Sequence, residues 1–266
     1  MDMIVCVKQV PDPEIPPSKF RIDPQANKVI PPEGIPPVIN PFDEQAVEAA
    51  LRIKDQHGGK ITALTMGSGS AVGVVRRALS MGVDEGIIVS DPAFEGSDCF
   101  ATAYTLTRAI EKIGGYDLIL CGREAADWDV GAVGSLIGEN LGIPIVTIAK
   151  KVEVVNGRLR VERMVTGGYE VVELPAPAVV TVSNELGQPR IPSGWGIIAA
   201  ARKQIPTWSA RDLQVEVSLV GAANVRTDLL KLFIPVRERK CEMMSGESVA
   251  EAAANLAMKL RQDGVI

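Results

Sequence analysis

Residues Ile61–Val89 read ITALTMGSGSAVGVVRRALSMGVDEGIIV. Ile61–Thr65 is a short run rich in branched residues, and Gly86–Val89 is another. Between them Val72, Val75 and Leu79 recur at helical spacing until Gly82 stops them. Unbroken apolar runs of this length suit strands buried on both faces of a parallel sheet. The same alternation extends outward: Ile4–Val7 lies upstream, Leu118–Cys121 and Ile145–Ile148 downstream. Asn40-Pro41 reads as an N-cap with proline at the first helical position and Asp43 in the first turn. Val47, Ala50, Leu51 and Lys54 continue that helix, which Gly58-Gly59 closes. Asp98–Ile113 gives a third helical stretch, and Val133, Ile137 and Leu141 mark a fourth, stopped by Gly142. Strands alternating with helices up to Lys150 predict a doubly wound α/β sheet.

Beyond Lys150 the pattern changes. Val152–Val155 and Leu159–Val165 flank Asn156-Gly157, a strong hairpin signal, and Gly167-Gly168 offers a second turn before Tyr169–Val172. An antiparallel meander is therefore expected on the parallel sheet, followed by a buried strand at Ala178–Val182. Ser183–Ser209, rich in Gly and Pro, is expected to be an extended surface loop. Ser248-x-x-Glu251 is a capping box for a last helix ending near Gly264, attached by a linker and packing on something other than its own core. Pro11–Pro37 holds much of the proline and should contain little helix.

The chain has 266 residues, 46% hydrophobic and 23% charged, an ordinary globular balance. Its formal net charge of -5 argues against nucleic acid as a partner. The longest apolar runs are too short to cross a bilayer, so no direct membrane insertion is expected. The start lacks a charged and apolar leader, which points to the cytoplasm. Cys6, Cys99, Cys121 and Cys241 are scattered and His57 is the one histidine, so no intrinsic metal site is expected. Cys6 and Cys121 lie in buried strands and read as small hydrophobes. His57 suits a helix C-terminus.

Two glycine-bearing turns invite a ligand. Gly67-Ser68-Gly69-Ser70-Ala71-Val72-Gly73 follows a strand and opens a helix, but has one residue too many for the dinucleotide fingerprint. A tight turn that needs small residues is the plainer reading. Gly122–Gly134 also runs from a strand into a helix, where ligands of open α/β sheets collect. Its glycines can leave backbone N–H groups free for a phosphate. An ordinary connection with Asp129 as helix cap fits the spacing equally well. Phe42 is either a core staple or a ligand contact. No nucleophile, base and orienting group stand together as a catalytic set, so no catalytic residue is assigned.

Val5-Cys6-Val7-Lys8, Asn40-Pro41-Phe42-Asp43-Glu44, Arg77–Asp84, Gly122–Gly134, Val161-Glu162-Arg163 before Gly167-Gly168, Pro177–Thr181 and Pro189-Arg190 occur in one order. Together they resemble the β subunit of electron transfer flavoprotein, from Met1 to about Trp208 and again in the last helix. The resemblance implies a Rossmann-like nucleotide-binding domain with meander and partner-recognition loop over 1–208. A linker and a helix packed on the partner subunit would occupy 209–266. It implies a heterodimer with an α subunit that holds most of the FAD, while the β subunit buries AMP. By position, the nucleotide would be lined by Cys6, Asn40, Pro41, Phe42, Asp43, Met66, Gly122, Arg123, Glu124, Ala125, Ala126, Asp127, Trp128, Asp129, Val130, Gly131, Ala132 and Val133. Phe42 would also approach the flavin edge. Pro189, Arg190 and Trp195, in the recognition loop Ser183–Ala200, would meet partner dehydrogenases.

On this reading the chain is a non-catalytic carrier subunit, passing electrons from flavin dehydrogenases such as acyl-CoA dehydrogenase to a quinone oxidoreductase or similar acceptor. Three positions depart from the family pattern. Gly131-Ala132-Val133 stands where polar residues are usual, Met164 follows Arg163 in place of an acid, and Trp128 adds bulk to the nucleotide loop. The family also contains flavin-bifurcating members with a second FAD in place of AMP and NADH as donor, and Ser90–Asp98 resembles theirs. A stand-alone adenine-nucleotide sensor is a further alternative, disfavoured by the meander and long loop.

Overall fold

The computed structural model describes residues 1–235 and 241–266; the expected linker therefore includes residues 236–240, which lie outside the described ones. β1 (Met3–Cys6) opens the chain and a proline-rich excursion follows. In it β2 (Gln9–Val10) pairs antiparallel with β5 (Val38–Ile39), and β3 (Arg21–Asp23) with β4 (Lys28–Ile30). Its helical content is one 3-10 turn, Pro17–Lys19, as the prolines led us to expect. Then α1 (Pro41–His57), β6 (Ile61–Met66), α2 (Val72–Met81), β7 (Glu85–Val89), α3 (Cys99–Ile113), β8 (Leu118–Gly122) and α4 (Val133–Leu141) alternate. The chain continues through β9 (Ile145–Val155), β10 (Arg158–Val165), β11 (Gly168–Leu174), β12 (Ala178–Val182), α5 (Gly194–Arg202), β13 (Thr207–Trp208) and α6 (Val249–Gln262).

The main sheet has nine strands in the order β11-β10-β9-β12-β8-β1-β6-β7-β13. From β9 to β13 every pairing is parallel, while β10 pairs antiparallel with β9 and β11. The chain winds from β1 outward through β6 and β7, then returns to the other side of β1 with β8. That reversal opens a crevice at the carboxyl ends of β1 and β8, the usual ligand position in such sheets. This is the doubly wound, Rossmann-like sheet with an antiparallel meander.

Side chains alternate across the sheet. Met3 and Val5 join the core under α1 and α2, whereas Ile4 and Cys6 join the one under α3 and α4. Ile4, Ile61, Leu64, Leu118, Ile119 and Leu120 are almost wholly removed from water. Each such side chain contributes about 1.5–3 kcal/mol of burial. β9 serves both halves of the sheet through a kink: Ile148 has φ 59° and its N–H donates to Thr181 Oγ1 at 3.0 Å. The register with β12 shifts there, freeing the distal half of β9 to lead into the meander.

Residues 183–209 are not the extended loop expected from their composition. They contain a 3-10 turn at Asn184–Leu186, α5, and the edge strand β13. Ser193 caps α5 by accepting from the Gly196 N–H at 3.0 Å. Gly196 lets α5 settle on α2, since a Cβ there would run into the Ser80 carbonyl. Arg76 of α2 secures the far end by donating to the carbonyls of Ala200 and Lys203. Of the glycines that suggested a loop, Gly196 instead serves close packing of helix on helix. Ala210, Leu213 and Val220, beyond position 208, are buried in the second core cluster. α6 has the expected capping box, with Ser248 Oγ accepting from Glu251 N–H at 3.2 Å, but none of its residues is buried. Among the described residues no helix is long and apolar enough to cross a membrane.

Candidate functional site

The crevice is built around Asp43. Its carboxylate accepts from the Lys8 N–H, just past β1, at 2.6 Å and from the Gly122 N–H, at the end of β8, at 3.1 Å. One side chain in the first turn of α1 thus ties together the ends of the two strands that flank the switch point. Gly122 permits this approach: a Cβ there would meet Asp43 Oδ1 and lie 2.7 Å from the Phe42 carbonyl carbon and 2.8 Å from Asp43 N. Burial pushes the Asp43 carboxyl up to about 7, against the lowering effect of its hydrogen bonds to Lys8, Asn40 and Gly122.

Asn40 stands at the N-cap position of α1 but does not cap it with its side chain. Its Nδ2 donates to the Glu124 carbonyl at 2.8 Å and its Oδ1 accepts from Ala126 N–H at 3.1 Å. The amide reads the backbone of the 123–132 loop as a strand would, holding the loop over the crevice. Lys8 reaches the same loop, its Nζ lying 2.7 Å from Asp127. Composition alone did not single out Lys8. Its position two residues past the end of β1 was the available signal.

Phe42 is half-buried and belongs to neither core cluster, which disfavours the core-staple reading. The Arg123 guanidinium sits 4.9 Å from its ring centroid. Arg123 also pairs with Glu124 at 2.6 Å and donates to Ser183 Oγ at 3.3 Å, joining the loop to the start of the 183–202 segment. Trp128 and Val130 project outward, 51% and 58% exposed. Asp129 adopts φ 50° and Gly131 φ 63° as the loop turns into α4. Asp129 does not cap that helix. Ala132 holds the N-cap position and no side chain accepts from the first turn of α4. Gly134 there lets α4 sit on the sheet, since a Cβ would lie 2.6 Å from Thr181 Cγ2.

Cys6, Asn40, Asp43 and the 122–133 loop therefore meet at one place, with Met66 at the end of β6 on the other side of β1. Unsatisfied helix N–H groups and the positive end of the helix dipole suit an anionic group such as phosphate. The arrangement offers binding groups.

The 67–73 turn behaves differently. Cβ atoms on Gly69 or Gly73 would meet nothing within 4 Å, so no close approach requires glycine there. Ser70 instead exchanges hydrogen bonds with Gln9, at 2.9 Å to Oε1 and 3.0 Å from Nε2.

The other expected contact residues lie on the 183–202 segment. Arg190 is held against α1: its Nε is 2.8 Å from Glu48 Oε2 and its Nη2 2.8 Å from Asp55 Oδ2. Burial raises the Glu48 carboxyl, but the hydrogen bonds from Arg190 and Arg52 outweigh it and leave the group below its usual range. Arg52 also donates to Leu186 O at 3.0 Å. Trp195 does not fold back on its own segment and is 82% exposed.

Comparison with known proteins gives the family. Residues 29–213 match the electron transfer flavoprotein domain. The chain is 41% identical over 267 residues to the electron transfer flavoprotein subunit beta of Thermoanaerobacterium thermosaccharolyticum, covering 100% of both. It is 38% identical over 266 residues to the subunit of that name from Clostridium acetobutylicum, again over 100% of both. It is 37% identical over 267 residues to the caffeyl-CoA reductase-Etf complex subunit CarD of Acetobacterium woodii, with 100% of both covered. The chain belongs to the electron transfer flavoprotein family as a beta subunit, a flavin-associated electron-transfer protein.

Proposed function

We propose that this chain is the nucleotide-holding half of a heterodimeric electron carrier. The observation that carries the reading is the uncapped first turn of α4, opening on a crevice whose loop is pinned by Asn40. AMP is the ligand we assign to it. The backbone N–H groups of α4 are suited to its phosphate, and they need no polar side chain at Gly131-Ala132-Val133. Lys8 is partly exposed and pairs with Asp127 there, so an anion entering the crevice competes for its ammonium. Asn40 and Asp43 act by positioning, the first on the loop and the second on the two strand ends.

The redox group is FAD, held mainly by an α-subunit partner, and it supplies the one- and two-electron chemistry. Phe42, under Arg123 at the crevice mouth, is assigned to the flavin edge. The protruding Trp195 and the segment carrying Pro189 and Arg190 are assigned to a flavin dehydrogenase of the acyl-CoA class. Apolar aromatics exposed on a fixed support make effective anchors. The support here is α5, fixed on α2, and the 186–190 stretch fixed on α1. A quinone-reducing or similar protein is the acceptor. The domain core extends past the expected boundary at 208 to take in Ala210, Leu213 and Val220, and farther along 209–266 α6, with no buried residue of its own, is assigned to packing on the α subunit.

A second reading follows from the relative named as part of a caffeyl-CoA reductase-Etf complex. In it a second FAD replaces AMP, and the small side chains at Gly131-Ala132 provide room. A nucleotide inventory distinguishes the two. The complex with the α subunit would be purified, denatured and assayed for FAD and AMP. One of each per dimer is the expected result. Two FAD without AMP would favour the second reading, and FAD alone would mean the crevice assignment is wrong.

A further inference from the structure

Two free, buried thiols lie at the ends of adjacent strands beside the crevice, and the electron-carrier reading gives Cys6 a lining role only and neither thiol any chemistry. Cys6 ends β1 and Cys121 is the penultimate residue of β8. The register pairs Val5 with Leu120, which makes Cys6 and Cys121 the next partners along two adjacent parallel strands. Both side chains join the same core cluster under α3 and α4, 7% and 5% exposed. Neighbouring strands lie about 4.7–4.9 Å apart, inside the roughly 4.4–6.8 Å between Cα atoms that a disulfide spans. Above the two thiols sits the first turn of α4, whose Gly134 would place a Cβ 3.6 Å from Cys121 Sγ.

We propose that Cys6 and Cys121 form a vicinal dithiol site that closes reversibly to a disulfide with a small hydroperoxide as oxidant, and that a nucleotide in the crevice shields it. The shielding rests on the nucleotide reading; the closure does not. With hydrogen peroxide, the Cys6 sulfur attacks one oxygen and the O–O bond breaks. The other oxygen leaves as water with the thiol proton, and Cys6 becomes a sulfenic acid. The Cys121 sulfur then attacks that sulfur, the S–O bond breaks, and the hydroxyl leaves as water with the Cys121 proton. Two thiols lose two electrons in all, and the peroxide is reduced to two waters. An external thiol reverses the closure. The neighbouring Cys6 thiol and burial push the Cys121 thiol well up, which disfavours it as the first nucleophile and leaves that attack to Cys6. Closure would couple the ends of β1 and β8, beside the Lys8 and Gly122 N–H groups that hold Asp43.

The test uses the full-length chain, stripped of nucleotide, reduced and then treated with hydrogen peroxide. Intact mass and peptide mapping are followed with time. Loss of two hydrogens and a Cys6–Cys121 cross-linked peptide that dithiothreitol removes are expected. A Cys99→Ser/Cys241→Ser variant should behave the same, while Cys121→Ala should lose the cross-link. The wild-type map stands by itself should that variant fold poorly. With AMP at ten times its Kd, closure should slow about tenfold if only the empty crevice reacts. Equal rates with and without AMP, with the Cys6–Cys121 peptide present, would uphold the dithiol and overturn the shielding. Sulfinic acid at Cys6, or cross-links only through Cys99 or Cys241, would overturn the dithiol whatever AMP does.

Discussion

Two glycine-bearing turns leave the sheet on either side of β1, one after β6 and one after β8, and they are built on opposite principles. The 67–73 turn has the more suggestive glycine spacing, yet two of its glycines face open space and its contacts run through Ser70 to Gln9. The 122–134 turn has wide spacing, yet both of its end glycines are demanded by close approach, Gly122 to α1 and Gly134 to β12. It is also the turn to which Asn40 and Lys8 reach, and from which Arg123 reaches Phe42. Close approach, more than the spacing of the glycines, distinguishes the 122–134 turn from the 67–73 turn.

Substitution breaks this comparison most sharply at Gly122. Gly122→Ala puts a methyl group against the backbone of Phe42 and Asp43, which has no flexible end to yield. We expect a loss above about 3 kcal/mol by denaturant unfolding, or failure to fold. Stability close to wild type would contradict the tight junction of α1 and β8.

The Asp43 junction also predicts a dependence on pH. Its folded-state value is raised from 3.8 to about 7, so the folded chain holds this proton more tightly than the unfolded one. The associated stability is full below about pH 4 and is lost as pH rises toward and through 7, with a slope of at most about 1.4 kcal/mol per pH unit. Glu48, Asp84 and Asp98, all lowered, contribute in the opposite sense: theirs is present above the usual carboxylate range and lost on acidification. The difference between wild type and Asp43→Asn isolates the first effect. It should narrow or reverse in favour of Asn as pH rises from 4 to 7, measured by urea unfolding. A difference independent of pH would show that Asp43 stays ionised throughout.

The smallest effect belongs to the other turn. Gly69→Ala meets nothing within 4 Å and should change stability by no more than about 0.5 kcal/mol. A loss comparable to that of Gly122→Ala would erase the distinction between the turns.

What was legible in the sequence followed periodicity. The parallel strands and α1 to α4 carry long apolar patterns with clear stops, and Asn156-Gly157 announced the hairpin of β9 and β10. α5 was hidden because Gly194 and Gly196 read as loop residues, and β13 because Thr207–Trp208 is too short to show alternation. At the site, which residues assemble was legible from the resemblance, but what they do to one another was not. Asn40 was expected to cap its own helix and instead holds a loop 84 residues away. Asp129 was a candidate cap for α4 and turns away from it. Asp43 gains its acceptor role from Lys8 and Gly122, which the parallel pairing of β1 with β8 brings together.

Hydrogen exchange of the nucleotide-stripped chain with and without AMP tests the central claim most directly. The account predicts slowed exchange concentrated in 122–136, above all in the first turn of α4, with smaller effects at 6–9 and 40–44. Slowing confined to 67–73, or none in 122–136 at saturating AMP, would contradict it.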